Sequence, residues 1–215
     1  ATSQSNGSGT LNDQTKPTVD SVSLAADNSS IVVVFTEPVY STANGTGNLE
    51  ASDFALSISG GTATLASATP TAITQNGNTY TLSFNLSGTP DGSEVISVAP
   101  LANSIFDATG NQAATSQSNG SGTLNDQTKP TISAITFAAD NSYIDVSFSV
   151  DVYANSNGSG ALEMNDFTLS FAQNQGTATA AQIIGIKKTD SPLISSASAL
   201  QGGESVVRLF ISFNG

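Results

Sequence analysis

Residues 1–18, ATSQSNGSGTLNDQTKPT, recur without a change at 114–131, so the chain repeats itself at a register of 113 residues. Solenoid units run to roughly 20–50 residues and cannot bury a core alone, whereas a period of this length suits an independently folded module. The 215 residues therefore read as tandem copies of one fold rather than as a single large domain.

Alignment at that register pairs Ala25-Ala26-Asp27-Asn28-Ser29 with Ala138-Ala139-Asp140-Asn141-Ser142, and Asp53-Phe54 with Asp166-Phe167. Within the copies, Ile31, Val33 and Phe35 match Ile144, Val146 and Phe148, and in the second copy Asp145, Ser147 and Ser149 lie between them. An apolar residue at every second position marks a strand with one buried face. The same period recurs in Phe54/Leu56/Ile58 with Phe167/Leu169/Phe171, and in Tyr80/Leu82/Phe84/Leu86 with Val207/Leu209/Ile211/Phe213. Turn residues between such runs predict about seven strands in the first module, at 18–25, 31–39, 53–59, 62–68, 79–87, 93–99 and 111–123. Seven short strands at this spacing predict an antiparallel β-sandwich, and no amphipathic helix competes.

The second copy follows the first to about Gly176, carries extra residues through Ile186–Glu204, and ends at Gly215, which matches Gly88. The expected organisation is therefore 1–16 as the last strand and linker of a preceding module, 17–125 as module 1, and 126–215 as a module 2 lacking its last strands. An incomplete sheet leaves an open edge, and an open edge invites another strand.

Composition narrows the function. Five basic residues against seventeen acidic ones give a net charge of −12, which repels nucleic acid and anionic membrane surfaces. Cysteine and histidine are absent, and with them go disulfides, thiol nucleophiles, imidazole bases and His/Cys metal sites. Serine and threonine are abundant, but no imidazole is present to activate them. Paired carboxylates held about 5–9.5 Å apart across a sugar cleft would make a glycosidase, and a sandwich of this size offers no obvious cleft. No enzyme activity is expected.

Lys16-Pro17-Thr18 opening a module, Phe35-Thr36-Glu37-Pro38-Val39 on the second strand and Asp107-Ala108-Thr109-Gly110-Asn111 before the last together resemble the bacterial Ig-like repeats of S-layer proteins and large surface adhesins. The second copy departs from the pattern at Ser149-Val150-Asp151, where the Glu-Pro pair is missing. The resemblance implies tandem Ig-like sandwiches serving as a stalk or spacer in a secreted or cell-surface protein. Neighbouring modules of the same protein would be its partners, with no nucleic acid and no direct membrane insertion. Two alternatives stand beside it: an adhesin module that binds a ligand through the 186–204 insertion, and a subunit that self-associates head to tail through its open strand edges.

Strands that alternate in direction would bring Asp13, Glu37, Glu50, Asp53 and Asp107 to one end of module 1. In the second copy Asp126, Glu163 and Asp166 are retained, Asp151 is added, and the counterpart of Asp107 is missing. Calcium takes six to eight oxygen ligands, so such an end is a candidate calcium site that would stiffen a junction. The other reading is that these are solvated loop carboxylates, with Asp53 and Asp166 capping turns and Asp13 and Asp126 initiating one ahead of proline. No linear calcium-binding loop is present, so the metal reading depends on topology alone.

Overall fold

The computed structural model describes residues 11–215, which are all-β, with two single-turn 3-10 helices and no α-helix. Residues up to Thr128 form one compact unit and Lys129–Gly215 a second. Asp126, read from sequence as the start of module 2, thus falls in the first unit. Of the strand expected within 1–16, residues 1–10 lie outside the described residues and 11–16 carry no strand.

The first unit contains β1 (Val19–Leu24), β2 (Ser30–Phe35), β3 (Phe54–Ser59), β4 (Thr64–Leu65), β5 (Ala72–Asn76), β6 (Thr79–Ser83), β7 (Leu86–Ser87), β8 (Val95–Pro100) and β9 (Ser121–Thr123). Antiparallel pairing gives a sheet of order β1-β2-β6-β5, a second of order β3-β8-β9, and a small β4-β7 ribbon. The period-2 residues of both larger sheets meet in one core. Ile31 and Val33 from β2 and Tyr80 and Leu82 from β6 join Phe54 and Leu56 from β3 and Ile96 and Val98 from β8, all buried. Phe35, Phe54 and Tyr80 pack as an aromatic trio with ring centroids 5.8–6.3 Å apart, the spacing such rings prefer. The arrangement is sandwich-like, and neither sheet closes into a barrel.

Several expected strands change. The run 62–68 is reduced to β4, 79–87 divides into β6 and β7, and 111–123 keeps only β9. Around β9 side chains replace ladder bonds: Gln117 Oε1 accepts from the Val19 amide at 2.8 Å, and Asn119 Nδ2 donates to the Asp20 carbonyl at 3.0 Å. β5 lies outside every strand the sequence predicts. It is an edge strand with little burial and therefore no apolar period, and it exists because a two-residue turn at Gly77, φ 60°, folds it back on β6.

The second unit contains β10 (Ile132–Phe137), β11 (Tyr143–Val152), β12 (Ala180–Lys187) and β13 (Glu204–Asn214), in the order β10-β11-β13-β12. This is the β1-β2-β6-β5 order again. The register irregularity between Val19 and Ser21 recurs between Ile132 and Ala134, and Val33↔Tyr80 recurs as Val146↔Val207. The 186–204 insertion lies largely in the loop of the β12–β13 hairpin, which in the first unit is closed by the two-residue turn.

The opposing sheet has no counterpart among the described residues of this unit, so more than the expected open edge is missing. Phe167, Leu169 and Phe171 carry the alternation of β3, yet 167–172 is not a strand. In the first unit β3 is held by all six of its pairings to β8, and nothing described here matches β8. Alternation supplies an apolar face, but only a neighbouring strand satisfies the backbone. No helix among the described residues is long and apolar enough to cross a membrane.

Candidate functional site

Strand ends and turns of the first unit bring three carboxylates together. Tyr40 and Phe106 exchange both backbone hydrogen bonds, at 2.7 and 2.9 Å, which sets the turn at 107–111 beside the loop that follows Glu37. Gly110, φ 92°, closes this turn so near the loop that a Cβ would lie 2.7 Å from the Ala43 carbonyl oxygen, so only glycine fits. Asp13, in the segment before β1, completes the group. One carboxylate oxygen from each of Asp13, Glu37 and Asp107 lies within 4.8 Å of the other two.

Their environments differ. Asp107 is 1% exposed, and its Oδ1 accepts from the Thr109 and Asn111 amides, both at 2.8 Å. Asn111 Nδ2 donates to Asp107 Oδ2 at 2.7 Å and to the Asp13 carbonyl at 3.1 Å, tying the turn to the incoming segment. Burial pushes the Asp107 carboxyl up, but the hydrogen bonds from Asn111 and Thr109 together outweigh it and hold it below the usual carboxylate range. Glu37 is displaced the other way, first by burial and then by the charges of Asp107 and Asp13. Asp13 is exposed, and its Oδ1 accepts from the Thr15 amide at 2.8 Å.

The remaining sequence candidates lie elsewhere. Glu50 and Asp53 bracket a 3-10 turn at Ala51–Asp53, where Asp53 Oδ2 accepts from the Glu50 amide at 2.7 Å. Glu163 and Asp166 repeat this device at Met164–Asp166, at 2.8 Å. The Asp126 carboxylate accepts from the Thr128 amide at 2.7 Å, and Asp151 is exposed on β11. At the position matching Glu37 the second unit has Val150.

A buried carboxylate that sequence reading missed has a structural task. Glu94 is fully buried, and its Oε1 accepts from the Thr62 and Ala63 amides at 2.9 Å. These bonds hold its carboxyl below the usual range. The adjoining Gly61, φ 54°, leaves the space it needs, since a Cβ there would come within 2.2 Å of Glu94 Cδ. In the sequence Glu94 stands three residues after Asp91 and directly ahead of the apolar run Val95-Ile96, a setting that does not by itself say which of the two acids turns inward.

Three carboxylate oxygens within 4.8 Å match the spread of ligands around one calcium ion, whose oxygen distances are about 2.3–2.6 Å. Asp107 Oδ2 accepts from Asn111 Nδ2 at 2.7 Å and is within 3.1 Å of the Thr109 hydroxyl, so a cation bound there competes with these donors for the oxygen. Comparison with protein-family models, with curated proteins and with solved structures finds no match to this chain.

Proposed function

We propose that this chain is a segment of tandem Ig-like modules acting as a structural spacer or stalk in a secreted or cell-surface bacterial protein. One observation carries the reading: the 113-residue repeat returns as the same four-stranded sheet order with the same register irregularity. A sequence that rebuilds one scaffold, without histidine or cysteine for chemistry, suits length better than turnover. The insertion belongs to the scaffold in this reading. Arg208, 7% exposed, makes a bidentate pair with Asp145, both contacts at 2.7 Å, and its Nη1 donates to the Ser191 carbonyl at 2.8 Å, bracing the long hairpin loop against the sheet.

Calcium enters as part of the same proposal, held by Asp13, Glu37 and Asp107 and tying the segment before β1 to two loops. Small-angle scattering of concatemers with two, four and six copies tests the spacer: maximum dimension should rise in proportion to copy number, and a collapsed particle would overturn it. Calorimetric titration of calcium into chelator-treated protein tests the cation. One site whose heat is lost in Glu37→Gln is expected, and the absence of heat would end that part of the reading while leaving the spacer standing.

A further inference from the structure

Five Asn-Gly pairs lie within the described residues: Asn44-Gly45, Asn76-Gly77, Asn119-Gly120, Asn157-Gly158 and Asn214-Gly215. In such a pair the glycine nitrogen can attack the asparagine Cγ, because no side chain on the glycine obstructs the approach. All five asparagines are exposed, so exposure does not choose between them. They differ in whether the attacking amide and the side chain are free to meet.

Four pairs are held. The Gly45 amide donates to the Thr42 carbonyl at 3.2 Å, and Asn44 Oδ1 accepts from the hydroxyls of Thr42 and Thr46. The second unit repeats this loop: the Gly158 amide donates to the Asn155 carbonyl at 3.2 Å, and Asn157 Oδ1 accepts from Ser159 Oγ at 2.6 Å. Asn119 Nδ2 is engaged on the Asp20 carbonyl, and Gly120 is buried with its carbonyl accepting from the Val98 amide at 2.7 Å. The Asn214 carbonyl accepts from the Thr179 amide at 2.6 Å and from its hydroxyl at 3.0 Å, which fixes the peptide that carries the Gly215 nitrogen. Asn76-Gly77 is the exception. Among the described residues neither the Asn76 side chain nor the Gly77 amide makes a hydrogen bond, and a Cβ on Gly77 would meet nothing within 4 Å. Asn76 is the last residue of the edge strand β5 and pairs with Thr79 across the turn, so swinging its Cγ over the Gly77 nitrogen disturbs a single terminal pairing.

We infer that Asn76 is a site of spontaneous deamidation, the fastest of the five in the folded protein. The Gly77 nitrogen gives its proton to solvent and bonds to Asn76 Cγ. The Cγ–Nδ2 bond then breaks, and the nitrogen takes a proton back from solvent and leaves as ammonia, closing a cyclic succinimide. Water opens the ring at either carbonyl to give aspartate or isoaspartate, with no oxidant or reductant required. Both products add a negative charge, and in isoaspartate the main chain runs through the former side-chain carbonyl carbon and is longer by one methylene. A two-residue turn built for the shorter chain cannot keep Asn76 opposite Thr79 in register, so β5 is released from β6 and Ile73 loses its seat against the core. The modification is thus a slow, one-way loosening of one edge of the first unit. It depends neither on the spacer reading nor on calcium.

Peptide mapping by mass spectrometry, with enzymatic methylation of isoaspartate, tests the site on the full chain aged at mildly alkaline pH, once folded and once in denaturing urea. In urea the five pairs should convert at similar rates, and in the folded chain Asn76 should convert severalfold faster than any of the other four. A folded chain in which another of the five keeps pace with Asn76, or in which Asn76 is as protected as the rest, overturns the inference. Hydrogen exchange on the aged protein reads the consequence: protection should fall in Ala72–Asn76 while Val19–Leu24 keeps its own. Asn76→Ser, at an exposed position, removes the reactive amide, and circular dichroism confirms that the variant retains its sheets. It should hold β5 protection through the same incubation, and a loss equal to that of the parent would show that deamidation is not what releases the strand.

Discussion

Asp107 and Glu37 are neighbours whose carboxyls are displaced in opposite directions, and the difference is one of donors. Asp107 is met by two backbone amides and the Asn111 side chain, so its charge is stabilised in the fold. Replacing it by alanine strands those donors and should cost about 1–3 kcal/mol of stability in urea unfolding. Because its folded pKa is depressed, this contribution is complete above the ordinary carboxylate value near about pH 4 and is lost as pH falls through the folded value. Glu37 has the reverse sign. Its folded pKa is raised, so its ionisation is disfavoured in the fold and works against stability above that pKa. Glu37→Gln should therefore raise the melting temperature of metal-free protein at neutral pH, with the advantage fading as pH falls to about 4, where Glu37 is protonated as well. If calcium binds, the variant also loses the stabilisation that added calcium gives the parent.

At the scale of elements, β3 and the segment 167–172 form a natural pair of controls. Both carry Phe-x-(Leu)-x spacing at matching positions, and only the one with six cross-strand partners is a strand. Native-state hydrogen exchange should find the hydrogen-bonded amides of Phe54–Ser59 strongly protected and those of Phe167–Ala172 exchanging fast, with equal protection refuting the account. Arg208 supplies a second element-scale test. Its guanidinium lies 3.6 Å from the centre of the Tyr143 ring, pairs with Asp145 and reaches the insertion loop. Arg208→Ala should cost about 2 kcal/mol, short of a fully buried pair because the Asp145 side chain retains 22% exposure. It should also free the Ser191 loop, which limited proteolysis would detect as new cleavage within 188–203. Neither the pairing of Arg208 nor the inward turn of Glu94 was legible in the sequence, since each depends on residues about 30 or more positions away.

For the molecule as a whole, two units of one ancestry are unequally built. The first encloses its core between two sheets, while the second packs one sheet against coil and leaves Ile132, Ile135 and Phe137 largely in water. Calorimetric unfolding in metal-free buffer should resolve two transitions, the second unit melting first, and a single cooperative transition would show the units to be energetically one. From sequence alone came the two-fold repetition, the apolar faces of β2, β3, β6 and their counterparts, and the exclusion of imidazole and thiol chemistry, because periodicity and residue type are local properties. The convergence of acids was legible as a tendency of alternating strands. That Asp13, Glu37 and Asp107 meet while Glu50 and Asp53 cap a turn was decided by the tertiary structure, as was the failure of 167–172 to become a strand. Alternation states which side of a segment avoids water; which neighbour satisfies its backbone, and which loops converge at its ends, follows from contacts between residues far apart in the chain.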